Sequence, residues 1–215
     1  MSLVEAGANV VLHGRTTERV ARLARETGQD VIACDLASPA GESALRARLQ
    51  GWDGLDVLVL SCGMYQRSLD PRVLETQLSA SLIAPYTALQ VALPLVVAAK
   101  GQIVFINSTQ ALRASRDVGQ YAATQHALRA IADSTREEVN ALGVRVLTVF
   151  GGSTAGDRQR AICESDNVPY RPELLIQPAD VAHVVFAMLT LPRTAEVTDL
   201  ILRPMHSPPP RKIGL

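Results

Sequence analysis

The chain has 215 residues, 47% of them hydrophobic, and its 21 lysines and arginines balance 21 acidic residues. That length buries one sizeable core and favours a single domain, and balanced charge offers no basic face to nucleic acid or to an anionic membrane. The three cysteines, Cys34, Cys62 and Cys163, are widely spaced with no Cys-x-x-Cys pair, which fits a reduced cytoplasmic protein and neither a zinc site nor a disulfide framework.

No basic segment followed by a long apolar run opens the chain, so no signal peptide is expected. Met1 to Gly7 reads as the tail of a helix, with Gly7 as its stop. A strand follows over Asn9–His13, ending at Gly14-Arg15, then a helix over Thr17–Glu26 closed by Thr27-Gly28. Val31–Cys34 is the next strand, with Asp35-Leu36 at its end, and Pro39–Gln50 is helical. Asp56–Leu60 forms a third strand running into Ser61-Cys62-Gly63. Pro71–Ala98 reads as a helix kinked at Pro85. Its Leu82–Ala99 portion is the most apolar long stretch, but Pro85, Gln90 and Pro94 favour a packed helix over a membrane span. A fourth strand, Ile103–Ile106, ends at Asn107-Ser108-Thr109, and Gly119-Gln120 opens a helix with small or apolar residues at Ala123, Ala127, Ala130 and Ile131. Val144–Phe150 is a fifth strand, followed by Gly151-Gly152 and an irregular segment to Ile176. Pro178–Leu191 reads as helix and Thr198–Arg203 as a final strand, so the domain is expected over 1–203, with a Pro-rich, poorly ordered tail over 204–215.

Strands alternate with helices, and several strands are continuous apolar runs, as expected of parallel strands covered on both faces. The fold class is therefore α/β, a doubly wound parallel sheet whose ligand sits outside the carboxyl ends of its strands.

A hydroxyl at a strand end, Ser108, followed thirteen residues later by Tyr121 at a helix start resembles the short-chain dehydrogenase/reductase family, which pairs a serine with Tyr-x-x-x-Lys at this spacing. The resemblance covers Glu5 to about Arg203 and implies a Rossmann-like domain. Here the motif reads Tyr121-Ala-Ala-Thr-Gln125, without the lysine. In the family the serine hydrogen-bonds the substrate carbonyl and the tyrosine gives or takes the proton. The lysine binds the nicotinamide ribose and lowers the tyrosine pKa. A free tyrosine titrates near 10, so only about one part in a thousand is phenolate at pH 7. Neutral Gln125 lacks the monopole that shifts this balance, so alcohol oxidation suffers more than carbonyl reduction. His126 is adjacent, but helix neighbours point about 100° apart, and a surface or interface role is favoured.

The family also begins with a strand, a Gly-rich turn and a helix whose N-terminus holds the cofactor diphosphate. Here Met1 falls in the second half of that helix, and the strand and glycines have no counterpart. Either the sequence is shortened or the protein lacks the element. The family's first strand lies centrally, so without it two strand edges are exposed, or the Asn9 and Asp56 strands pair directly, or another chain supplies a strand.

The resemblance assigns further cofactor contacts. Arg15 stands where an arginine holds the 2′-phosphate of NADP, or is simply a solvated surface residue. Asp35 and Leu36 match the adenine-contacting pair, although aspartate is also a good turn residue. Ser61-Cys62-Gly63 replaces Asn-Ala-Gly, with Cys62 a buried filler rather than a reactive thiol. Gly151-Gly152-Ser153-Thr154 matches the Pro-Gly-x-x-Thr turn whose threonine contacts the nicotinamide carboxamide. Ser81 stands at an asparagine position and reads as an ordinary helix residue. Asp157–Arg171 corresponds to the substrate-covering loop, where Arg158, Arg160, Tyr170 and Arg171 meet an anionic substrate or are solvated. The four histidines share no spacing with acids or thiols, so no metal is expected.

Two functions stay open. One is an oxidoreductase that uses NADP in preference to NAD to reduce a carbonyl, or oxidise an alcohol, on a small molecule. The other is a family-derived protein without redox activity, either a non-redox enzyme using Ser108 and Tyr121 or a non-catalytic oligomer partner. The Pro71–Ala98 and Gly119–Leu142 helices resemble the family's dimer-forming pair and imply a homodimer or homotetramer.

Overall fold

In a computed structural model the described residues are 3–68 and 70–206. The expected proline-rich tail therefore lies outside them from residue 207 onward. Where the tail of a helix is expected over Met1–Gly7, the described residues 3–7 form hydrogen-bonded turns with a helix-type closure. The Ala8 N–H bonds the Leu3 carbonyl and the Gly7 N–H bonds the Val4 carbonyl, with Gly7 at φ +82. This paired closure is the one that a left-handed glycine permits.

Six parallel strands follow, each crossing to the next through a helix: β1 (Val11–Gly14), α1 (Thr17–Thr27), β2 (Asp30–Ala33), α2 (Pro39–Leu49), β3 (Val57–Leu60), α3 (Pro71–Leu78), α4 (Ala84–Ala98), β4 (Gln102–Ser108), α5 (Gly119–Val139), β5 (Arg145–Gly151), α6 (Asp157–Ser165), α7 (Pro178–Leu189) and β6 (Asp199–Leu202). They do not form one sheet. β1 pairs with β2 alone, and β3, β4, β5 and β6 pair in that order. Of the outcomes expected for these strands, the structure takes exposed edges: among the described residues β1 and β3 do not pair, and each has one unpaired side.

Packing bridges the two ladders where hydrogen bonds do not. On one face Leu58 and Leu60 of β3, Ile103 and Phe105 of β4 and Val146 of β5 join Leu45 of α2, Leu89 and Val96 of α4 and Leu128 of α5, and this core extends to Cys34 and Leu36 beyond β2. On the other face Val104, Leu147 and Val149 pack against Val185 of α7. Strand alternation explains the division, since successive residues face opposite sides. The second layer stops short: Val104 is fully buried, while its register partner Val59 on β3 is 40% exposed.

Residues 71–98 are continuous helix, long and apolar enough by length and composition to cross a membrane. Leu89 and Val96 are fully buried in the core, so the apolar character of this helix serves packing. The kink expected at Pro85 takes the form of a π-helical turn over Ser79–Ile83, where the Ala84 N–H reaches back to the Ser79 carbonyl. A proline ring crowds the carbonyl four residues earlier, here Ser81, and a widened turn relieves that clash. The segment expected to be irregular after Gly152 contains α6 and a short 3-10 turn over Pro172–Leu174. Only Cys163 of α6 is buried, so the helix lacks the apolar stripe that marks helices in sequence.

Candidate active site

The carboxyl ends of the parallel strands bring the chemistry together. Ser108 is the last residue of β4, and Tyr121 stands in the first turn of α5, buried at 8% exposure. Asn107 fixes their relation. Its side-chain Nδ2 donates to the Gln125 carbonyl at 3.1 Å and its Oδ1 accepts the Ser108 N–H at 2.6 Å, clamping the tip of β4 to α5.

Ser108 Oγ accepts the Gln110 N–H at 3.2 Å, which leaves its proton free to point elsewhere. It faces the Tyr121 phenol and favours its ionised form. Tyr65, from the segment after β3, packs edge-on against the Tyr121 ring with centroids 5.0 Å apart. Burial pushes the Tyr121 phenol above its ordinary value of 10.0, and the nearby Tyr65 adds to this, while Arg158 and the Ser108 hydrogen bond act in the opposite direction. Desolvation disfavours the phenolate, whereas a cation and a donated hydrogen bond favour it.

Three parts of the surroundings were not legible in sequence. Asn107 is one. Ser81, read as an ordinary helix residue, is fully buried, accepts the Met64 N–H at 2.9 Å and donates to the Met64 carbonyl at 3.2 Å. The π-helical turn presents it there to hold the turn after β3. Arg158 is the third: its Nη2 donates to the Gly63 carbonyl at 2.9 Å, two residues before Tyr65, and its charge acts on the Tyr121 phenol. An ion pair between Arg67 and Asp166 fastens the far end of α6 to the segment after β3. The loop's other expected anion contacts serve the loop itself. Arg160 lies over the Tyr170 ring at 4.5 Å, and the Tyr170 hydroxyl accepts the Gly156 N–H at 2.9 Å.

The short chain dehydrogenase family profile matches residues 1–167. The chain belongs to that family. Two uncharacterized oxidoreductases, from Staphylococcus aureus (strain USA300) and Staphylococcus epidermidis, are 27% and 25% identical over 216 and 214 residues, with 94% of this chain and 89% of each relative covered. The closed form of serine dehydrogenase complexed with NADP+ superposes with a TM-score of 0.82 at 21% identity, covering 99% of this chain and 92% of that one. An alcohol dehydrogenase from the archaeon Thermococcus sibiricus, complexed with 5-hydroxy-NADP, gives 0.79 at 21% identity, covering 97% and 91%.

Against the short chain dehydrogenase pattern, the positions expected to meet a nicotinamide are present in altered form. Gln125 occupies the lysine position, buried, with its Nε2 donating to Thr124 Oγ1 at 3.4 Å. His126 is exposed and its Nδ1 contacts the Ala122 carbonyl, so it faces away from the phenol as expected. Gly63 lies exposed at the end of β3, and burial raises the Cys62 thiol, which packs against the core as a filler does. Gly152 has a packing role of its own: a Cβ there would stand 3.1 Å from Pro204 Cδ and 3.2 Å from the Leu202 carbonyl oxygen. Thr154 donates to the Gly152 carbonyl at 3.1 Å within the same turn. At the adenosine end Arg15 is exposed just beyond β1. Asp35 Oδ1 accepts the Ala37 N–H at 3.1 Å, the turn role, and Leu36 is buried in the core. Open glycine at the end of β3 and two hydroxyls at the tip of β4 fit a nicotinamide and its ribose. The diphosphate has no such cradle among the described residues, because no Gly-rich strand-to-helix turn stands between β1 and β3.

Proposed function

We propose that this protein is an oxidoreductase that reduces a carbonyl on a small molecule, or oxidises the corresponding alcohol, with NADP in preference to NAD. The observation that carries the reading is the pair of hydroxyls at the carboxyl end of β4, a partly exposed Ser108 and a buried Tyr121. The Ser108 proton hydrogen-bonds the carbonyl oxygen of the substrate and holds it against the phenol. Tyr121, kept neutral by burial, delivers its proton to that oxygen as negative charge develops there. The nicotinamide, when bound, supplies or takes up the hydride. Asn107 holds the two hydroxyls in register, and Tyr65 covers the phenol from one side. Exposed Arg15 at the end of β1 supports the preference for a 2′-phosphate, as do the neighbours bound to NADP+ and 5-hydroxy-NADP. A homodimer or homotetramer in the cytoplasm belongs to the same reading. Exposed Ile83 and Tyr86 near the start of α4 support the assembly.

Thermal unfolding with added NADPH, NADP+ and NAD+ tests the proposal, because a ligand that binds only the folded state raises the midpoint. Free cofactor at 100 times its Kd stabilises by about 2.7 kcal/mol, roughly 5–11 °C for a chain of this size. No shift with any of the three at millimolar concentration would overturn the redox reading. The other function would then stand, a family-derived protein without redox activity, and it is favoured by neutral Gln125.

The direction of the Tyr121 shift also sets the pH dependence. Reduction uses the neutral phenol and is expected to be flat across neutral pH, whereas oxidation needs phenolate and should climb only as pH approaches and passes 10.0. Stability follows from the same shift. The folded chain holds this proton more tightly than the unfolded chain, so the contribution is complete below the ordinary tyrosine range and is lost as pH rises through the folded value. Rate profiles in both directions, paired with melting in alkali for the wild type and Tyr121→Phe, check both signs.

A further inference from the structure

We propose that Arg158 is the cation that serves the Tyr121 phenol in place of the lysine absent from position 125. The proposal deepens the redox reading, in which Tyr121 exchanges a proton with substrate. Position 125 cannot fill the role. Its side chain is a neutral amide, buried, with its donor turned to Thr124.

Arg158 brings a charge from the opposite direction. It stands in the first turn of α6, and its Nη2 is fixed by the Gly63 carbonyl at 2.9 Å, two residues before Tyr65, whose ring packs against that of Tyr121 with centroids 5.0 Å apart. A second tie, Arg67 to Asp166, holds the other end of α6 to the same segment, so the helix cannot lift without breaking two charged contacts. The groups acting on the phenol are Arg158 from α6, Ser108 from β4 and Tyr65 from the segment after β3. Arg158 alone of these is charged at neutral pH, and a guanidinium keeps its charge across the whole range in which tyrosine titrates. It therefore stabilises phenolate across that range.

This arrangement differs from a lysine one turn along the same helix. Such a lysine is carried on the helix that carries the tyrosine, whereas Arg158 arrives on a separate helix, α6.

The test reads the phenol directly and needs no cofactor. Tyrosines carry a 13C label at the ring carbon bearing the hydroxyl, and the Tyr121 resonance is assigned as the one lost in Tyr121→Phe. The pH at which tyrosinate first appears at that site is then followed. In Arg158→Gln this onset should move up by about one unit, the lower end of the effect of a neighbouring opposite charge, because Arg158 is solvent-exposed. Arg158→Lys should keep most of the wild-type onset, and Gln125→Lys added to Arg158→Gln should bring it back down. Wild-type protein in roughly 1 M salt should move part of the way toward Arg158→Gln, which keeps the test alive if a variant fails to fold. An onset that stays put in Arg158→Gln and in high salt overturns the proposal, as does an Arg158→Lys variant that behaves like Arg158→Gln. The redox reading fails by a different result, the absence of any thermal shift with cofactor, and the two outcomes are independent.

Discussion

Tyr121→Phe is expected to slow carbonyl reduction by roughly 100- to 10,000-fold, the range associated with losing a positioned general acid, with the melting temperature nearly unchanged. The two effects separate because the ring and the hydroxyl do different work. The ring fills its place beside Tyr65, with centroids 5.0 Å apart, and phenylalanine fills it equally. The hydroxyl is the only part that meets Ser108 and Arg158. Its removal leaves no buried group stranded: Ser108 is half-exposed and Arg158 exposed, so water replaces the lost partner. Turnover measured beside a melting curve checks this. A variant that keeps its activity would remove Tyr121 from the reaction, and one that melts far lower would show that the hydroxyl is structural.

Gly41→Ala is expected to destabilise the fold by more than about 3 kcal/mol, beyond the usual penalty for an overpacked site, and to lower the midpoint by roughly 6–12 °C. α2 starts tightly. Ser38 Oγ accepts the Gly41 N–H at 3.1 Å and donates to the Asp35 carbonyl at 2.8 Å, drawing the first helical turn against the end of β2. A Cβ at Gly41 would stand 1.9 Å from the Asp35 carbonyl oxygen and 2.4 Å from its carbon, both backbone atoms that cannot rotate aside. The helix must swing outward, and Leu45 leaves the core with it. Gly119→Ala is the control, since a Cβ there meets nothing within 4 Å. Equal midpoints for the two variants would contradict the argument.

Those two positions differ in how openly the sequence states their importance. Ser108 and Tyr121 are legible because a hydroxyl ending an apolar run and a phenol opening a helix are local signals at a recognisable spacing. All six strands and most helices are legible for similar reasons, since each apolar run or helical stripe is contained in a short window. Asn107 looks like the polar end of a strand, and its value lies in reaching the Gln125 carbonyl on α5. Arg158 looks like one of several surface arginines until α6 sets it against Gly63, ninety-five positions earlier. Ser81 is hidden by geometry rather than by distance. In a regular helix it would be an ordinary small residue, and the widened turn before Pro85 aims it at Met64. Gly41 gives no local cue at all, because the atom it must avoid is defined only once β2 and α2 have met.

The unpaired sides of β1 and β3 have a consequence for cooperativity. Among the described residues the β1–α1–β2 unit is joined to the other ladder through side chains around Cys34, Leu36 and Leu45, with no amide bonds crossing between the two. A unit joined in this way can detach and return while the four-stranded portion keeps its protection against solvent exchange, which gives the described residues two opening free energies. Arg15 and Asp35 ride on the unit that opens more easily, whereas Ser108 and Tyr121 belong to the one that persists. Gripping a nucleotide and handling a carbonyl are thereby entrusted to parts of differing permanence.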